Sequence, residues 1–134
     1  MKVLFVGSNP STKNLDPNIP FEGTKSSKVL EVWIKFLELA DYDVVNILDK
    51  VTKNNRPLTK REIRNSLLDF KEKISSVEYD RIIALGNSAS VALKMLKLSH
   101  YKLPNPSSRN RQLNSKEFVD NSLNECKVFL YENN

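Results

Sequence analysis

The chain is poor in the residues that build metal centres and covalent cross-links, with one cysteine and one histidine among 134 residues. A lone Cys126 closes no internal disulfide. A structural zinc or an iron–sulfur cluster takes several Cys or His ligands, so neither metal nor cofactor is expected. No apolar run approaches the ~20 residues that cross a bilayer. No charged-then-apolar leader opens the chain, so neither a membrane span nor a secretory signal is expected. Internal repeats and low-complexity tracts are also missing. The expectation is a soluble, cytoplasmic monomer folded as one domain over residues 1–134, a length that suits a single core.

What the chain does have is a modest excess of positive charge. Lysine and arginine number 21 against 16 acidic residues, a net charge of +5. That balance mildly favours polyanionic partners.

Short apolar runs alternate with helical patterns. Residues 2–6, 44–48, 81–85 and 101–103 read as strands. Between them, Val29, Leu30, Trp33, Ile34, Leu37 and Ala40 recur at helical spacing behind Ser26 or Ser27, either of which suits an N-cap. That helix is expected to end near Asp41. Thr59 followed by Glu62 reads as a capping box opening a helix with Ile63, Leu67, Phe70 and Ile74 on its buried face. Residues 88–98 read as a short helix with Val91, Leu93 and Leu96 inward. The final segment from Ser115 reads as helix, with a strand over 128–131 as the alternative. Strands alternating with helices imply a three-layer α/β/α sandwich around a short, mainly parallel four-stranded sheet.

Two loops that follow strands stand out: Gly7-Ser8-Asn9-Pro10-Ser11, and Asn105-Pro106-Ser107-Ser108-Arg109-Asn110-Arg111. In a parallel sheet the loops leaving the carboxyl ends gather at one edge, so these two are expected to share a site. Residues 9–23 hold Pro10, Pro17 and Pro20 and read as a long loop over that edge.

This order of parts resembles the uracil-DNA glycosylase superfamily. Gly7-Ser8-Asn9-Pro10 is similar to its water-activating motif, Leu103-Pro104-Asn105-Pro106-Ser107 to its closing motif, and residues 45–52 to its second-strand segment. The resemblance runs from Lys2 to about Phe118 and is nearest the mismatch-specific uracil and thymine glycosylases. The arginine-bearing last loop is more like the single-strand-selective branch. It implies an enzyme that extrudes uracil or a related damaged pyrimidine from single-stranded or mismatched DNA and leaves an abasic site. Association with the nucleoid when on DNA would follow.

By that resemblance Asn9 positions the attacking water and Asn105, where faster families carry a histidine, supports a base oxygen. Phe21 stacks on the base, Asn46 reads its edge and Ser8 joins them. Ser11, Lys25, Ser26, Ser107, Ser108 and Arg111 meet phosphates, and Arg109 fills the gap left by the base. Structural readings stand beside these: Asn9 as a turn former, Phe21 as a loop anchor, Asn46 as a buried amide bonded to backbone. His100, outside the closing loop, is read as structural, and Cys126 as a small core hydrophobe. Ser11 replaces the family's frequent glycine. Two neutral amides in catalytic places also suit a base- or DNA-binding module without turnover.

Overall fold

The first strand organises everything around it. Val3, Leu4, Phe5 and Val6 are all fully buried, as befits a strand with helices on both faces. In a computed structural model, which describes residues 1–132, this strand is β1 (Val3–Gly7). It is joined by β2 (Tyr42–Asn46), β3 (Arg81–Leu85) and β4 (Tyr101–Leu103). The order is β2-β1-β3-β4 and every pairing is parallel.

Alternate side chains of β1 feed opposite layers. Val3 and Phe5 pack with Leu30, Trp33 and Ile34 of α1 (Lys25–Phe36) and with Leu123, Cys126 and Leu130 of α4 (Lys116–Tyr131). Leu4 and Val6 pack with Ile63, Phe70 and Ile74 of α2 (Lys60–Ser75) and with Ala89, Ala92 and Leu93 of α3 (Asn87–Met95). The three-layer α/β/α arrangement follows, and no helix among the described residues is long and apolar enough to cross a membrane.

Several boundaries differ from expectation. Thr24, rather than Ser26 or Ser27, caps α1, its hydroxyl accepting the Ser27 N–H at 3.3 Å. The helix stops at Phe36 because Glu38 turns left-handed (φ 57°). The Glu38 N–H then bonds the Lys35 carbonyl and the Leu39 N–H bonds that of Ile34, closing the end. Ala40 is therefore exposed rather than on the buried stripe. β2 begins two residues early, set by the register of Asn46 against Gly7. Helix α4 is continuous through Tyr131, so residues 128–131 form no strand. The capping box at Thr59 and Glu62 is present as read.

Candidate active site

The carboxyl ends of the strands open into a crevice of ≈ 1080 Å³. Asn9, Phe21 and Asn105 all line it, as do Ser8, Ser11, Lys25, Ser26, Ser107, Ser108 and Arg109. Residues nearly a whole chain apart meet there because β1 and β4 flank β3 in one parallel sheet.

Asn9 leaves β1 with its amide held from two sides. The Ser8 hydroxyl donates to Asn9 Oδ1 at 2.9 Å, and Asn9 Nδ2 donates to the Lys50 carbonyl at 2.9 Å. Orientation of the amide is thereby fixed, with one acceptor lone pair of Oδ1 left over. The Lys50 carbonyl carries no signature in sequence, since any residue type presents one.

Asn105 is arranged the opposite way. Its Oδ1 accepts the Ser107 N–H at 2.9 Å, a local turn, and its backbone carbonyl accepts Asn110 Nδ2 at 2.9 Å. The side-chain NH₂ meets no protein acceptor among the described residues and is left as a donor. Gly86 makes room for this loop. It has φ 95°, and a Cβ there would lie 3.1 Å from that of Asn105.

Beneath the first loop sits Asn46, only 2% exposed, with its Oδ1 buried and without a hydrogen-bond partner. Its backbone carbonyl accepts Lys73 Nζ at 3.2 Å. Gly7 is what allows the side chain its place. A Cβ on Gly7 would come within 2.5 Å of Asn46 Oδ1 and 3.2 Å of the Phe21 ring. Phe21 is itself left-handed (φ 63°), a conformation costing on the order of 1–3 kcal/mol for a residue of this size, and Thr24 holds its carbonyl by side chain and backbone. Asn46 thus lies against Gly7, near the Phe21 ring, and does not line the open crevice.

Ser11 Oγ accepts the Lys13 N–H, and the Ser11 N–H is held by Asn14 Oδ1. Thr12 and Asn55 bond one another through two contacts, tying the first long loop to the turn at Lys53–Asn55. Arg109 reaches that same turn, donating to the Asn54 carbonyl at 2.9 Å. Ser107 Oγ accepts the Arg109 N–H. Arg111 opens a 3-10 turn (Arg111–Asn114) outside the crevice lining. Sequence reasoning missed Asn14, Asn54, Asn55 and Asn110, which brace loops from positions without any periodic signal.

Charge on the lining is one-sided: Lys13, Lys25, Arg56, Lys102 and Arg109 face it against Glu125 alone. Arg56 is paired with Glu62 at 2.7 Å, which leaves a basic rim suited to phosphates. Away from the crevice, His100 Nδ1 donates to the Leu98 carbonyl at 2.9 Å and Nε2 is hydrogen-bonded with the Ser90 hydroxyl at 2.8 Å, which holds the ring within the fold. Burial pushes the Cys126 thiol up to about 12, where it is inert as a nucleophile.

The family model for the uracil DNA glycosylase superfamily matches residues 1–127. No curated protein gives a match. With nearly its full length covered and both motif-bearing loops meeting in one crevice, the chain belongs to the uracil-DNA glycosylase superfamily.

Proposed function

We propose that the protein is a monofunctional DNA glycosylase that takes uracil or a related damaged pyrimidine out of single-stranded or mismatched DNA and leaves an abasic site, acting as a monomer. The observation that carries the reading is the complementary pair of amides on one crevice: Asn9 with a free acceptor, Asn105 with a free donor. On this reading water sits on the remaining lone pair of Asn9 Oδ1, below the sugar C1′. It attacks C1′ as the bond to the base nitrogen breaks. The electron pair leaves with the base, and Asn105 Nδ2 donates to the oxygen on which negative charge gathers. The proton lost by the water passes through solvent to the departing base anion, leaving a C1′ hydroxyl and the neutral base.

A neutral amide orients water without removing its proton, so turnover is slow. Phe21 stacks on the extruded ring, and the orphaned Asn46 Oδ1 accepts an N–H from the base edge. Base entry then requires the Phe21 ring to shift off Gly7. Ser11, Lys25, Ser26, Ser107 and Ser108 hold phosphates, and Arg109 exchanges the Asn54 carbonyl for the gap left by the base. Arg111, outside the lining, meets phosphate only beyond the crevice mouth.

Incubating the protein with uracil-containing single-stranded and mismatched oligonucleotides, followed by alkali, gives strand scission at the uracil. Absence of scission at high enzyme concentration across several lesions overturns the reading. Asn9→Ala lowers kcat by at least about 10²-fold and leaves DNA affinity nearly unchanged, because the contact it removes forms mainly in the transition state. Equal loss of affinity and turnover would make Asn9 structural. A second reading, base or abasic-DNA binding without turnover, is favoured by one observation, the seclusion of Asn46 from the open crevice. It gives salt-sensitive oligonucleotide binding and no product in the same assay.

A further inference from the structure

Asn46 carries a buried acceptor with nothing to accept, and the tip of the Phe21 ring stands beside it. A Cβ built on Gly7 would lie 2.5 Å from Asn46 Oδ1, 3.2 Å from Phe21 Cζ and 3.4 Å from Phe21 Cε2, so all three atoms crowd one point. The far edge of the ring meets Gly7. Stacking on a base uses the ring's face, and a base reaching Asn46 across Gly7 runs into that edge first.

The backbone of Phe21 is pinned, because its carbonyl accepts both the Thr24 hydroxyl at 2.6 Å and the Thr24 N–H at 3.1 Å. Moving the ring is therefore a rotation about its own side-chain bonds, from one staggered well to another. Space for it lies on the side away from the crevice. A second cavity of ≈ 130 Å³ opens between α1 and the free edge of β2, with Pro20, Leu30, Ile34, Tyr42 and Val44 around it. Tyr42, Val44 and Asn46 alternate along β2, which puts this cavity and the Asn46 side chain on the same face of the sheet as Val3, Phe5 and Gly7. Among the described residues, Phe21 is the one that lines both this cavity and the crevice. The apolar walls suit a phenyl ring, and an apolar cavity of about 150 Å³ is large enough to take up benzene.

We propose that Phe21 is a gate whose ring turns from Gly7 into the cavity between α1 and β2 as a base enters, uncovering Asn46 Oδ1 and presenting a ring face to the base. The inference rests on the reading of the crevice as a base-excision site and adds to it a second cavity that DNA never touches. Val44, on the floor of that cavity and outside the crevice lining, then limits capture of the base without meeting it.

The test is fluorine NMR of the full-length protein labelled with 4-fluorophenylalanine, the Phe21 signal being identified by its loss in Phe21→Leu. Two single strands of about 10 nucleotides are added in turn. One carries 2′-deoxypseudouridine, whose carbon–carbon link to the sugar cannot be hydrolysed, and the other an abasic analogue at the same place. The pseudouridine strand moves the Phe21 signal; the abasic strand binds and leaves it where it was. Val44→Phe, which fills the cavity, holds the signal at its free position and weakens affinity for the pseudouridine strand by about fivefold or more, the share of one stacked base, with the abasic strand unaffected. Val44→Ala, which enlarges the cavity without overpacking it, shifts the signal toward its bound position before any DNA is added. A Phe21 signal that both strands move alike, or that Val44→Phe and Val44→Ala both leave as in wild type, overturns the gate and spares the crevice as a DNA site. A wild-type protein that binds neither strand at low salt overturns both.

Discussion

Gly7 sets the tolerance of the site at the scale of single atoms. Its missing Cβ is the space in which Asn46 Oδ1 and the Phe21 ring come close, and the nearer of the two, Asn46 Oδ1, belongs to a buried side chain that cannot swing away. Gly7→Ala therefore destabilises the fold by about 1–3 kcal/mol, the range for overpacking, measured by urea denaturation. It also removes uracil excision more completely than that loss of stability explains. The sequence marks Gly7 only as the glycine that closes the first strand; which atoms crowd it depends on Asn46 of the neighbouring strand. That Asn9, Phe21 and Asn105 would face one crevice was legible from motif and order. The way each amide is oriented was not, since it depends on the Lys50 carbonyl and on a turn within the closing loop.

At the scale of elements, α2 shows where local sequence suffices. Thr59 and Glu62 satisfy one another's backbone within a single turn, so nothing distant is needed to specify the start. The Arg56 guanidinium, and then the Thr59 N–H, hold the Glu62 carboxyl down to about 2 from its ordinary 4.5. A carboxyl depressed in the folded state contributes stability above its unfolded pKa and loses it as pH falls through the folded one. Glu62→Gln accordingly lowers Tm at neutral pH, and the gap from wild type closes between pH 4.5 and about 2. On the same helix Phe70 is fully buried, and Phe70→Ala costs about 3–5 kcal/mol in chemical denaturation. The ends of α1 and α3 were less legible. Both close on left-handed residues, Glu38 and Lys97, where glycine is the usual signal. The start of α1 was read at Ser26 or Ser27, and the cap falls instead to Thr24, whose hydroxyl accepts the Ser27 N–H while donating to the Phe21 carbonyl.

For the molecule as a whole, alternation of strand and helix was enough to give a parallel sheet covered on both faces, since the central strands β1 and β3 carry the apolar runs that two covered faces require. Which loops touch was not available from spacing alone. Arg109 meeting Asn54, and Thr12 meeting Asn55, join three separate connections across the crevice. The sheet itself is uneven. β1 is flanked on both sides, whereas β4 has three residues, stands at an edge and pairs only with β3. Hydrogen–deuterium exchange is expected to be faster at the amides of β4 than at those of β1. Equal protection of the two strands would contradict this.

That short border strand leads into the loop of Asn105, while Asn9 follows the fully buried strand β1, paired on both sides. If Asn9 and Asn105 act together as proposed, warming is expected to separate them before the layers come apart, the donor drifting from its partner while the interior is still intact. Heat inactivation should precede heat denaturation, and cooling should restore turnover without any need to refold the core.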